Sequence, residues 1–170
     1  MSIYFYGCIT MDGYLADINH NLDWLYQSGS TEETDYDNFY KSMDITIMGK
    51  RTFDEIEHVE NIGNLYGTTK NYVFTHANSL SVKEFIPVKG DIVEFAQQIV
   101  KNKNIWIVGG NTLLAPLLDA NMVDHMIIQI APVLLGSGIP LFTQESTLKR
   151  FHLKEVKKYG QFAELIYSKL

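Results

Sequence analysis

The stretch "IWIVGGNTLLAPLLDA", residues 105–120, restricts the fold of this chain more than any other segment. Ile105, Trp106, Ile107 and Val108 form a continuous apolar run rich in branched side chains, the composition of a strand covered on both faces. Such a strand needs a packing layer on each side. Leu113, Leu114, Leu117 and Leu118 then recur at helical spacing, so the chain passes from strand to helix through Gly109-Gly110, with Asn111 or Thr112 available as the cap. Free amides at a helix start favour an anion, and glycines let a phosphate approach the backbone closely. A tight connection without a ligand would look the same. The segment has neither the G-x-G-x-x-G spacing of a Rossmann site nor the lysine of a P-loop.

The rest of the chain repeats this alternation. "SIYFYGCI" reads as a central strand, followed by an Asp12-Gly13 turn and a polar loop. A helix is expected in "EETDYDNFYKSM", beginning near Thr31 or Thr34. A strand in "DITIMG", a helix in "KRTFDEIEHV", a strand near Asn71 to Thr75 and a short one in "EFIPV" come next. "DIVEFAQQIVKN" is an amphipathic helix with Ile92, Phe95, Ala96, Ile99 and Val100 on one face. After the 105–120 unit, "VDHMIIQIAPVLLG" predicts a long strand, and "FHLKEVKKYGQFAELIYSKL" a hairpin turning at Tyr159-Gly160. Strands alternating with helices imply a parallel core. The expected fold is α/β: a three-layer α/β/α sandwich on a mixed, mainly parallel sheet, with a C-terminal antiparallel hairpin.

With 170 residues and 46% hydrophobic content, one domain spanning residues 1–170 is expected. The single cysteine, Cys8, suits a reducing compartment. No window approaches the about 18 apolar residues of a membrane span, and the chain is expected to be soluble and cytoplasmic, with no membrane partner. Fourteen basic against twenty acidic residues give a formal charge of −6, which argues against nucleic-acid binding. No C-x-x-C, H-E-x-x-H or deaminase-type zinc pattern is present, so no metal is expected. His58, His76, His125 and His152 are scattered, and His20 falls in a loop.

In a parallel sheet, ligands gather past the carboxyl ends of the strands. Three such ends carry compatible chemistry. Gly109-Gly110-Asn111-Thr112 is the phosphate cradle. Gly49-Lys50-Arg51-Thr52 sets two cations and a hydroxyl at a helix start, against the dipole, where they either meet an external anion or are simply solvated. Thr75-His76, after "NYVF", can hydrogen-bond a phosphate or flank an adenine, or can be plain loop residues.

"ITMDGYLA", "ITIMGKRTF", "NYVFTH", "IWIVGGNTLLAPLL" and "IAPVLLGSGIPLF" resemble, in order, successive segments of the dihydrofolate reductase superfamily. The likeness is greatest to the reductase domain of bacterial riboflavin biosynthesis, in a stand-alone form without the deaminase half. The resemblance implies an NADPH-dependent oxidoreductase acting on a planar pyrimidine- or pterin-type heterocycle, such as the ribosylaminopyrimidine of that pathway. Dihydrofolate reductase and a non-catalytic NADPH-binding protein are the alternatives. It places Gly49, Lys50, Arg51 and Thr52 on the cofactor segment, with the cations toward the 2′-phosphate and the threonine toward the bridging phosphates. Thr75 and His76 fall at the adenosine end. Val108, Gly109, Gly110, Asn111, Thr112 and Leu113 match the junction over the pyrophosphate, where a cis link between the glycines is common.

The preference for NADPH over NADH has its own physical ground, since a phosphate carrying roughly −1.5 to −2 charge rewards cations. Leu15 and Cys8 match positions near the nicotinamide, or are ordinary core. For the substrate, Asp35 aligns with the acid that holds the pteridine, with Phe39 packing on the ring. Glu32, Glu33 and Asp37 compete with it, and acids at a helix start also favour the dipole. Asp12 is a second catalytic candidate. Trp24 can close over a planar substrate or plug the loop. A two-fold homodimer is expected through Met126 to Val133 and Leu134-Leu135.

Overall fold

The computed structural model describes residues 2–30, 34–145 and 148–170. In chain order its elements are β1 (Ser2–Thr10), β2 (Tyr14–Ala16), α1 (Asp23–Tyr26), α2 (Tyr36–Lys41), β3 (Ile45–Gly49), α3 (Lys50–Ile56), α4 (Ile62–Leu65) and β4 (Lys70–Phe74). Then come β5 (Phe85–Val88), α5 (Ile92–Ile99), β6 (Asn104–Gly109), α6 (Asn111–Asp119), β7 (His125–Ala131), β8 (Ile139–Pro140), β9 (Phe151–Tyr159) and β10 (Phe162–Lys169). An eight-stranded sheet runs in the order β5-β4-β3-β6-β1-β7-β10-β9. Its first six strands are mutually parallel, and β10 and β9 continue it antiparallel. The three-layer mixed α/β sandwich expected from the alternation is the architecture found.

The two faces of the sheet bury different chemistry. On one, Ile3, Phe5 and Ile9 of β1 meet the α6 leucines and Ile92 and Ala96 of α5 in an aliphatic core. On the other, Tyr6 and Trp106 meet Phe53 and Tyr66, with Tyr36, Phe39 and Tyr40 of α2 packed against them. The periodicity of 2 along β1 sends alternate side chains into these two cores. In α5, Ile92 and Ala96 are buried and Phe95, Ile99 and Val100 pack against the same core, as the helical face predicted.

The structure corrects several local expectations. Helix α2 starts at Tyr36, later than Thr34, with Asp35 as its N-cap residue and no side-chain cap bond. Thr31, Glu32 and Glu33 lie outside the described residues. Neither Asn111 nor Thr112 caps α6: Gly110 holds the N-cap position, and the Asn111 side-chain amide instead donates to the Pro140 carbonyl at 2.9 Å. Strand β7 stops at Ala131, short of Val133, and is flanked by β1 and β10. The short ribbon β2–β8 and the single turns α1 and α4 leave no mark in the sequence pattern, because elements this short carry no periodicity.

Candidate active-site cleft

Strand β1 changes partners along its length, and that change opens a cleft. Its first residues pair with β6, from Ser2 with Asn104 to Phe5 with Ile107. Beyond Phe5 the β6 pairing ends, while pairing to β7 continues from Tyr4 through Thr10. Chain connections leaving β1 and β6 run to opposite sides, β1 toward β3 and β6 toward β7, so this is the switch point where α/β sheets take their ligands. Beside it β6 carries an extra residue in its register with β3, where Ile47 faces Ile107 but Met48 faces Gly109. The gap widens into a cleft of about 680 Å³. That is within the range of roughly 300–1,000 Å³ usual for small-molecule sites.

Two of the three expected strand ends, those of β3 and β6, meet in this cleft, and β4, next to β3 in the sheet, reaches it through Phe74. Gly49 is level with Phe74, and Met48 with Gly109. Cys8, Leu15, Gly49, Lys50, Arg51, Thr52 and the run Val108 to Leu113 all line the cleft. His20, Leu22, Leu25 and Tyr26 also line it, which sequence reasoning missed; their polar loop gives no periodic signal. Thr75 and His76 follow Phe74, which does line the cleft, but are not themselves in its wall; the Thr75 hydroxyl accepts from the Ala77 amide at 3.1 Å.

The α6 end of the cleft has the attributes of an anion cradle. The Gly109–Gly110 peptide is cis. A Cβ built on Gly110 meets no atom within 4 Å, so open space stands over that residue, whereas one on Gly109 would sit 3.2 Å from the Thr52 hydroxyl. The first helical amides to find a carbonyl are those of Leu113 and Leu114, both on Gly110. Asn111 and Thr112 precede them, and their amides have no acceptor among the described residues. On the adjoining wall Lys50 forms an ion pair with Asp54, and its ammonium lies 5.5 Å from the centre of the Phe53 ring. Cys8 stays a neutral thiol, its pKa pushed up to about 12 chiefly by burial.

The remaining predicted residues lie elsewhere. The Asp12 carboxylate accepts from the Thr10 hydroxyl at 2.6 Å and from the amides of Gly136 at 2.7 Å and Leu135 at 3.1 Å. The Thr10 bond first, then those amides, hold its pKa below the usual carboxylate range. It clasps the turn after β1 to the segment after β7. Trp24 is buried against Ala131 and Phe162, with Cys8 packed alongside, and its indole N–H finds no acceptor among the described residues. Asp35 is exposed and accepts from the Asn38 side-chain amide at 2.6 Å. Phe39 lies in the aromatic core, 4.7 Å from Tyr6 and 5.5 Å from Trp106 between ring centres.

Near them is a buried polar group that sequence reasoning also missed. Gln129 donates to Glu164 at 2.9 Å and to the Tyr6 hydroxyl at 2.8 Å, and Glu164 is 2% exposed. Burial is the main cause that raises the Tyr6 phenol. An isolated glutamate in a terminal strand carries no signal of burial; only the cross-strand register Cys8–Gln129–Glu164 reveals it. Among the described residues no group of three or more His, Cys, Asp or Glu could hold a metal, and no helix is long and apolar enough to cross a membrane.

Residues 67–163 match the model of the RibD C-terminal domain family. The chain is 30% identical over 165 residues to the uncharacterized protein YwjB of Bacillus subtilis (strain 168), an alignment covering 95% of this chain and 94% of that one. Its fold is similar to the crystal structure of a protein from Shewanella sp. PV-4, with a TM-score of 0.85 at 22% identity over 100% of this chain and 99% of the other. It is also similar to the dihydrofolate reductase of Enterococcus faecalis, solved in complex with NADP(H) and RAB-propyl. There the TM-score is 0.66 at 11% identity, over 98% of this chain and 95% of that one.

Proposed function

This chain belongs to the RibD C-terminal domain family, and on that premise we propose that it is an NADPH-dependent reductase delivering hydride to a planar pyrimidine- or pterin-type heterocycle. The reaction we assign is most like that of 5-amino-6-(5-phosphoribosylamino)uracil reductase in riboflavin biosynthesis. The observation that carries this reading is the gap between β1 and β6, with open glycine backbone in one wall and two adjacent cations in the next.

When bound, the nicotinamide supplies the hydride. Everything else falls to the chain's own residues. Gly109, Gly110, Asn111, Thr112 and Leu113 present backbone at the start of α6, where unpaired amides and the helix dipole favour phosphate, and Thr52 adds a hydroxyl beside Gly109. Lys50 and Arg51 supply charge for the 2′-phosphate, with Gly49 leading into them and Thr75 and His76 at the adenosine end. Val108, Leu15 and the neutral thiol of Cys8 give the ring an apolar surround that excludes water. The substrate would reach Cys8 from the face carrying Trp24 and Phe39, with Asp35 as the acid assisting proton delivery. Asp12 is held ionised by its three donors, which suits anchoring of the β1 turn better than proton donation. As its assembly we propose a homodimer involving Leu134, which is 68% exposed, and sedimentation velocity reads that directly.

Binding and turnover test the reading separately. NADPH should raise the melting temperature more than NADH does, and the pair Lys50→Ala, Arg51→Ala should abolish that difference. Oxidation of NADPH is then followed optically with the ribosylaminopyrimidine and with dihydrofolate. Turnover of the aminopyrimidine supports the assignment, and turnover of dihydrofolate alone replaces it with the folate reaction. Binding without either turnover leaves a cofactor-binding protein, and equal stabilisation by both cofactors overturns the role given to the cations.

A further inference from the structure

The two cations of the cleft are neighbours in sequence but not equivalent. Lys50 is already answered by a carboxylate one helical turn on: its ammonium is paired with Asp54. Arg51 has no carboxylate within ion-pair distance among the described residues, although Glu55, one turn after it, lines the same cleft. This wall therefore holds two positive and two negative side chains, and one of the positives is committed. Resting on the dinucleotide reading above, we propose that Asp54 sets how strongly the cleft distinguishes an adenosine carrying a 2′-phosphate from one carrying a free ribose hydroxyl.

The argument is electrostatic and turns on exposure. The side chains of Lys50 and Asp54 are 41% and 44% exposed, so the pair is solvated enough to open when a better anion arrives. A 2′-phosphate recruiting Lys50 competes with Asp54 for the ammonium, and the carboxylate stands on the same face of the helix, repelling the phosphate. A ribose hydroxyl meets no such penalty, because a carboxylate accepts a hydrogen bond from it. Asp54 thus weakens the phosphorylated ligand selectively. A unit charge at this range, in surface dielectric and screened by salt, changes affinity about 3–10-fold.

The test uses the full chain and two probes that need no turnover, 2′,5′-ADP and 5′-AMP, titrated calorimetrically at low and at high salt. Asp54→Asn should tighten 2′,5′-ADP about 3–10-fold with 5′-AMP little changed, and the gain should shrink as salt rises. Asp54→Ser serves as a second variant with the same expectation. In a Lys50→Met background the Asp54→Asn gain should largely vanish, since no ammonium remains to be released. Glu55→Gln removes a charge from the same wall without freeing a cation, and should do less. The proposal is overturned when Asp54→Asn leaves the ratio of the two affinities unchanged, when both probes tighten equally, or when Glu55→Gln has the same effect. If the wild-type chain binds neither probe, the dinucleotide reading itself fails; binding of both without an Asp54 effect removes only this inference.

Discussion

Helices α5 and α6 begin in the same kind of place, past the carboxyl end of a parallel strand, and they pack against each other, yet their first turns are finished differently. In α5 the Asp91 carboxylate accepts from the amides of Val93 at 2.8 Å and Glu94 at 2.9 Å, closing the helix on itself. In α6 the N-cap is Gly110, no side chain caps it, and the adjacent Asn111 side chain turns away to Pro140. Capping by a side chain contributes about 1 kcal/mol, and a helix end without it leaves donors for something else. The edge helix uses its own carboxylate; the helix at the cleft keeps its amides free. Such a difference between two otherwise matched helices is evidence about ligands that neither helix gives alone.

The largest expected effect breaks this contrast directly. Gly110→Asp installs at α6 the kind of group that α5 already has, in an extended conformation that side chains tolerate and in open space. The substitution should hold or raise the melting temperature while weakening NADPH on the order of tenfold to a hundredfold, because the new carboxylate takes the amides and repels the phosphate. A loss of stability together with binding would indicate a purely structural glycine. The converse change, Asp91→Ala, should cost about 1 kcal/mol in denaturant unfolding and leave cofactor affinity unaltered.

A smaller effect concerns Asp12, a carboxylate that, like Asp91, is consumed by the fold. Its folded-state pKa lies below the unfolded value, so its contribution to stability is present above the unfolded pKa, about 3.9, and is lost as pH falls through the folded one. Asp12→Asn should therefore be less stable than wild type near neutrality, with the difference closing in strong acid; a difference independent of pH would mean that the carboxylate's charge is not what matters. Smallest is the effect on Cys8, whose thiol, pushed up to about 12, should alkylate only slowly at neutral pH and more slowly still with NADPH present. Rapid modification would show that the floor of the cleft is wetter than its geometry implies.

Much of this was legible from local pattern. The leucine spacing in α6, the apolar face of α5, the two glycine-ended strands and the turn at Tyr159-Gly160 all depend on neighbours a few residues away, and the structure has them. What escaped reading depends on distance along the chain. Asp12 looked like a catalytic candidate because its bonds to Leu135 and Gly136, 123 and 124 residues on, leave no trace near it. The packing of Trp24 and Phe39 is equally illegible in sequence, because their cores are assembled from four or more separate segments. The Lys50–Asp54 pair follows the spacing of four along a helix, but the same two cations sit against the helix dipole, and the sequence pattern does not decide between an external anion and the helix's own acid.

The partner change of β1 has a mechanical consequence. The sheet is two four-stranded leaves, β5-β4-β3-β6 and β1-β7-β10-β9, joined edge to edge only from Ser2 to Phe5 and Asn104 to Ile107. Like a book bound along half its spine, it can gape at one end while staying fastened at the other. Whatever fills the opening becomes the missing stitch, and deuterium uptake by the backbone amide of Cys8, ahead of that of Tyr4 in the bound half, would register how far the leaves part.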